Sequence, residues 1–242
     1  MLGLQFLFPC LMQDFELKLI VTRFEARQAL GLAPAFSDRI SHVNIDNYSK
    51  TESGQLIWEK QVYAALIEKI ASSRPEAIAC DIMFVDWAQK SGNEELVQAT
   101  INAGNLVNPF LLDTRPGGAK APDALGLDAN PRLNTGLAPA ASGILFTPFD
   151  ALMEQSAGLG FANMNPDPDG VIRRVPVVME LNGALIPSFF LQAVATQLDY
   201  DLEEVEIIDQ SSIVLRDFPA HGENALSDLE IPLDGRGNLL VN

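Results

Sequence analysis

Residues 160–181 read GFANMNPDPDGVIRRVPVVMEL, and their pattern sets the architecture of the second half of the chain. At the centre lies Asn165-Pro166-Asp167-Pro168-Asp169-Gly170. Each proline locks its own φ and keeps the residue before it extended. Asp169-Gly170 supplies the close of a turn, because Gly accepts positive φ and Asp tolerates tight turns. The outgoing residues 171–181 are rich in Val and Ile, as a half-buried strand should be. The spacing predicts a β-hairpin with residues 161–164 as the incoming arm, residues 171–181 as the outgoing arm and an acidic tip between them. Pro176 places the outgoing arm at a sheet edge or beside a bulge. Arg173 and Arg174 follow closely enough to neutralise part of the tip's charge.

Upstream, the rhythm is strand and helix in alternation. Residues 14–30 predict a helix, with Leu17, Ile20, Val21 and Phe24 on one stripe. That stripe packs on its own domain, or on a second copy of the chain as a homodimer. Residues 40–46 predict a strand ended by Asp46, followed by a polar loop over residues 47–54. Residues 58–70 predict a helix, with the apolar residues Trp58, Val62, Leu66 and Ile70 at every fourth position. Residues 77–84 form an almost continuous apolar run, the pattern of a central strand covered on both faces, with Asp81 inside it. Residues 94–102 predict a helix closed by Gly104, and residues 106–112 a third strand. Strand, helix, strand, helix, strand is the order of a parallel sheet with right-handed crossovers. All three strands are therefore expected to be adjacent and parallel.

Residues 113–142 are rich in Pro, Gly, Ala and Asn and predict a long surface excursion within the domain. Thr147-Pro148 opens a short helix over residues 149–156. Pro187-Ser188 opens another to Leu198, with Ser188 as cap and Phe190, Leu191, Val194 and Leu198 as its core face. Residues 204–208 and 213–216 are expected to pair, as are residues 229–233 and 238–241 around Asp234-Gly235-Arg236-Gly237. The fold class is thus α/β: a mixed β-sheet with helices on both faces, a parallel βαβαβ first half and antiparallel hairpins in the second half.

Composition excludes several function classes. The 242 residues carry 32 acidic and 16 basic side chains, a net charge of −16. A basic footprint for nucleic acid is missing, and an anionic lipid surface would repel the chain. With 48% hydrophobic residues and a mean hydropathy of +0.11, the chain is long enough to bury a core. Cys10 and Cys80 make neither a disulfide framework nor a paired metal motif. His42 and His221 are too few for a histidine-based centre. Gly158-Leu159-Gly160 is half a dinucleotide fingerprint and leads into a strand where that motif needs a helix. Residues 1–12 are apolar but short of the roughly 20 residues a spanning helix needs. They read as a buried terminal segment or as the remnant of a spanning helix.

Two constellations carry chemical interest. Asn165, Asp167 and Asp169 before Gly170 have the alternate oxygen spacing of a calcium loop. An EF-hand needs an acidic residue at its twelfth position, where Pro176 stands, and its flanks must be helices. A rigid acidic turn is favoured over a different calcium cage, and no other cofactor is expected. Asp46 and Asp81 are the second constellation, an acid–base or magnesium pair of a metal-dependent hydrolase if they converge. The plainer reading is that each carboxylate bonds nearby backbone groups, as buried carboxylates must.

Taken together, Gly160, Asn163, Asp167, Asp169, Gly170, Val171, Arg173 and Pro176 resemble the second type of CHASE domain, the cyclase/histidine-kinase-associated sensory extracellular domain. Ile45-Asp46, then Ile78, Asp81, Ile82 and Phe84, then Pro187-Ser188 match that family in order. The resemblance implies an extracytoplasmic sensory domain, periplasmic or extracellular, of a bacterial membrane receptor. The receptor's output would be a cyclase, a histidine kinase of a two-component system or a Ser/Thr kinase, and the domain itself non-catalytic. It implies residues 1–30 as a membrane-proximal segment and helix, and residues 31–242 as the sensory domain, C-terminally incomplete. Asp46, Asp81, Asn163 and Arg173 become candidate ligand-binding residues for an unidentified small-molecule or protein signal. Membrane attachment would come from spanning helices of the parent chain. The short apolar run at residues 1–12, the amphipathic helix directly after it and a strand that begins only at residue 238 lead to the expectation that the chain is a piece of a longer receptor, with its last strand unpaired. A protein-interaction ectodomain with no small-molecule site is the remaining alternative.

Overall fold

The computed structural model describes residues 9–33, 37–53, 58–85, 91–115, 138–202, 205–208, 211–219 and 226–241. The expectations for residues 1–8, for most of the excursion (residues 116–137) and for His221 lie outside that set. The chain divides into two compact units, residues 1–53 and residues 54–241.

In the first unit, helix α1 (Pro9–Ala29) covers the expected residues up to 29 and starts earlier. Leu17 and Ile20 are buried within the single chain, and Val21 and Phe24 are half-buried. Residues 40–46 do not form the expected strand. They are irregular, with Ile40 and Val43 64% and 57% exposed. A run with several apolar residues makes a strand only where another strand accepts the backbone, and none among the described residues does so here. The expected polar loop instead begins with a short helix, α2 (Asn47–Ser53).

The second unit is built on strand β2 (Leu106–Asp113), which is buried over nearly its whole length. Strand β1 (Ile78–Ala79) runs parallel to it, Ile78 opposite Leu106. Strand β1 is far shorter than the apolar run implied, and it lies at the edge while β2 lies in the centre. The Cys80 N–H still reaches the Val107 carbonyl at 3.0 Å, but the Ile82 N–H turns back to Cys80 at 2.8 Å and ends the ladder. Asp81 therefore sits beyond the sheet and is exposed.

On the other edge of β2 runs strand β5 (Gly158–Phe161), also parallel, Phe161 opposite Phe110. These residues lead into the stretch 160–181, but the expected hairpin partner does not accept them. The incoming arm belongs to the central sheet. Beyond β1, strand β4 (Gly143–Phe146) pairs antiparallel with Leu111, Leu112 and Asp113. Pro109 has the same parity as Asn105, Val107 and Asp113, whose carbonyls bond on that side. Its missing N–H falls in the gap between the end of β1 and the start of β4, where no ladder donor is required.

Helices cover both faces of this sheet. On one face α3 (Lys60–Ala71), α4 (Asn93–Ala103) and α5 (Asp150–Gln155) bury Ala64, Ile67, Leu96, Ala99 and Leu152 against Ile78 and Leu106. The buried stripe of α3 is Lys60, Ala64 and Ile67, so the helix is rotated from the expected face and Val62 is exposed. Gly104 closes α4 at φ +71°, with its N–H on the Thr100 carbonyl. On the other face lies α6 (Phe189–Leu198), whose Ser188 hydroxyl accepts from the Leu191 N–H at 3.3 Å. It buries Leu191 and Ala195 and leaves Phe190 and Val194, expected inward, over a third exposed.

The rest is antiparallel. Strands β7 (Val178–Leu181) and β8 (Ala184–Pro187) form a hairpin around Asn182-Gly183, flanked by β3 (Ala140–Ala141). Strand β10 (Ser212–Pro219) pairs with β9 (Val205–Ile208), as expected, and with β11 (Leu226–Pro232). Strand β12 (Asn238–Leu240) pairs not with β11 but with β6 (Arg174–Pro176). The last strand is therefore paired, which corrects the expectation of an open final edge.

Gly158 and Gly160 let α6 lie directly on β5. A Cβ on Gly160 would meet the backbone of Phe189 at 2.5 Å and of Ser188 at 2.8 Å. Gly170, by contrast, is open to solvent and needs Gly only for its φ of +83°. Gly160→Ala is expected to lower stability by about 2–3 kcal/mol through overpacking, and Gly170→Ala by about 1 kcal/mol through backbone strain. Urea midpoints of the two variants check the order, and equal midpoints would contradict the close approach.

Candidate functional site

The acidic tip closes as a tight turn. The Gly170 N–H donates to the Asp167 carbonyl at 2.8 Å, and the Asp167 N–H to the Val171 carbonyl at 2.9 Å. The Asp169 carboxylate accepts from the Val171 N–H at 3.1 Å. Prolines on either side of Asp167 and a left-handed Gly170 make this the local minimum of the sequence.

Both arginines turn back onto the tip. Arg173 grips Asp169 in a fork, Nη1 to Oδ1 at 2.9 Å and Nη2 to Oδ2 at 2.8 Å, and reaches Asp167 at 3.2 Å. Arg174 Nη1 meets the other oxygen of Asp167 at 2.5 Å. The Arg173 and Asp167 side chains are only 8% and 9% exposed, so this is a buried pair. Removing one partner from such a pair leaves an uncompensated charge in a poor solvent. The Arg173 fork holds the Asp169 carboxyl below the usual carboxylate range. The oxygens that a calcium ion would take from Asp167 and Asp169 are those the guanidinium groups engage. Asn165 contributes no hydrogen bond to this cluster among the described contacts. Among the described residues no group of three His, Cys, Asp or Glu side chains is arranged to hold a metal ion.

Asp234 joins the cluster unexpectedly, 3.4 Å from Arg174 Nε. Its signal was in the spacing. Asp234 to Gly237 repeats Asp167 to Gly170, and the backbone bonds repeat as well. The Gly237 N–H donates to Asp234 at 3.0 Å, and the Asp234 N–H to Asn238 at 2.7 Å.

Asn163 lies just past β5, and its side chain acts as a strand would. Its Nδ2 donates to the Leu112 carbonyl and its Oδ1 accepts from the Leu112 N–H, both at 2.8 Å. A side-chain amide can offer an N–H and a C=O side by side, as a strand residue does, so it extends the β2–β5 ladder after the backbone has left it. Asn163 and Arg173, candidate ligand residues from sequence, are thus engaged within the fold.

The carboxylates Asp46 and Asp81 fall in different units. Asp46 caps α2, accepting from the Ser49 N–H and hydroxyl at 2.8 Å each. Those bonds hold its carboxyl below the ordinary range, which suits a cap and not a general base. Asp81 lies beside Cys80, whose thiol is pushed up to about 12, first by burial and then by that neighbouring charge. At the end of β2 a third carboxylate, Asp113, is buried and forked by Arg115 at 2.8 Å. An open cleft of about 430 Å3 lies between Val85 and residues 145–151, with Thr147 and Asp150 as its polar lining. None of the four candidate ligand residues lines it.

The CHASE2 domain family model matches residues 1–242, the whole chain. That family comprises sensory extracellular domains of membrane signal-transduction receptors, not catalysts. No curated protein and no solved structure matches the chain. Among the described residues no helix is long and apolar enough to cross a membrane.

Asn163→Ala is expected to lower stability by about 2 kcal/mol, since it orphans two buried backbone groups. Faster exchange of the Leu112 amide would accompany it, and an unchanged amide would contradict the strand-like role. Arg115 holds the Asp113 carboxyl down at about 2 against an ordinary 3.8. A depressed folded-state value stabilises the fold above the ordinary range and loses that contribution as pH falls through the lower one. Acid unfolding from about pH 4 to about pH 2 should therefore be shallower in Asp113→Asn than in the parent, as followed by circular dichroism.

Proposed function

The chain belongs to the CHASE2 family, and from that membership we propose that it is the extracytoplasmic input domain of a membrane-bound bacterial receptor. The output, a cyclase, a histidine kinase or a Ser/Thr kinase, resides on other residues of the parent protein. The observation that carries this reading is the family match over all 242 residues. The geometry supports it from a second side. The polar residues Asn163, Asp167, Asp169 and Arg173 are spent on internal bonds, so they build a scaffold and not a reaction centre. The hydrolase alternative needs a poised carboxylate pair, and Asp46 is a helix cap with a depressed pKa. An open cleft beside Val85 is one concave feature, among the described residues, that could take the signal.

The location is tested in the full-length parent protein. A single exposed cysteine, Glu95→Cys on α4, should react with a membrane-impermeant maleimide in intact spheroplasts. Cys80 contributes little background because its thiol is pushed up to about 12. The parent without the substitution measures what remains, including Cys10. Labelling of Glu95→Cys only after lysis would place the domain in the cytoplasm and sink the receptor-input reading.

A further inference from the structure

Strand β12 is held by a short ladder. Among the described residues its three residues pair only with β6, and one of the opposing residues is Pro176, which has no N–H. One further bond runs from the Val241 N–H to the Arg173 carbonyl at 2.8 Å. A two-stranded ribbon of this length is not stable by itself. Apolar support is partial: Leu239 packs against the cluster around Ile213 and Leu215, and Leu240 is 39% exposed.

A continuous run of charged contacts reaches the same strand. It starts at Asp169, passes through Arg173 to Asp167, then through Arg174 to Asp234. Asp234 Oδ1 accepts from the Asn238 N–H at 2.9 Å, and Asn238 is the first residue of β12. The contacts are graded along the run. The Arg173–Asp167 pair is buried, whereas the Arg174 and Asp234 side chains are 21% and 26% exposed and their contact is the longest, 3.4 Å. Partly exposed pairs are screened by salt and buried pairs much less.

We propose that this run is a latch for the terminal strand. The acidic tip and Arg173 form its fixed part, and the Arg174–Asp234 contact is its releasable joint. Opening the joint frees β12 from β6 while the central sheet around β2 stays folded. The latch is a property of the domain and does not depend on the receptor reading, so the two fail separately. In a chain that continues past these residues, the latch would decide whether the following segment is tied to the tip.

The test uses the 242-residue chain and amide exchange. Asp234→Asn keeps an oxygen for the Arg236 and Asn238 N–H groups and removes the charge that meets Arg174. The Val241 amide should exchange faster by about two- to fivefold, the scale of one partly exposed ion pair set against local opening. The Cys80 and Ala162 amides, which bond to β2, should keep their rates. Added salt should speed Val241 exchange in the parent and have little effect in Asp234→Asn. Unchanged Val241 exchange in the variant would overturn the latch. So would a rise shared equally by Cys80 and Ala162, which would mark global destabilisation, or the same salt response in parent and variant.

Discussion

A buried strand must satisfy its backbone on both edges, and β2 is the strand on which this unit imposes that demand. Along it, carbonyls and amides alternate between edges. Asn105, Val107 and Asp113 face one side, while Leu106, Phe110 and Leu112 face the other. The first side is served by β1 and then by β4, and Pro109 occupies the gap between them without leaving a donor stranded. The second side is served by β5, and where β5 ends the Asn163 side chain continues the ladder at Leu112. Each unpaired buried group would cost about as much as a lost hydrogen bond. That cost explains why a proline and an asparagine stand at these two points.

The residues that read as a ligand constellation serve the same economy. Gly158 and Gly160 have no Cβ because α6 lies on them, and the Ser188 hydroxyl caps that helix where it meets Phe161. Arg173 is buried, which is tolerable only because two carboxylates enclose it. The charged cluster joins the tip to the last strand, and the cleft beside Val85 lies in a different part of the unit, lined by residues outside the motif.

Turns were legible in the sequence; their strand partners were not. Asp167 to Val171 and Asp234 to Asn238 both close as expected from Asp, Pro and Gly. Yet in neither case do the flanking arms pair with each other. Residues before the tip join β2, those after it join β12, and β11 joins β10. A turn depends on a few torsions that the local residues determine, while pairing depends on which edge is free when the whole core assembles. Helices show the same divide. Their positions and caps, Gly104 and Ser188 among them, follow from local residues, but α3 and α6 present faces rotated from those their apolar spacing implied. Small residues such as Ala64 and Ala195 allow closer approach than Val62 or Val194, and packing takes the closer face.

The sequence by itself determined the mixed α/β class, the parallel pairing of residues 78–79 with 106–107, both tight turns and the family, since each rests on local torsions, short-range periodicity or ordered motifs. Tertiary structure alone decided that β2 and not the apolar run at residues 77–84 is the central strand, that residues 40–46 pair with no strand among the described residues, and that Asn163 and Arg173 bond within the fold. The physical reason is that a polar side chain carries the same donors and acceptors whether it meets a ligand or a backbone. Only the assembled neighbours, Leu112 for one and Asp167 with Asp169 for the other, show which groups of the fold it engages.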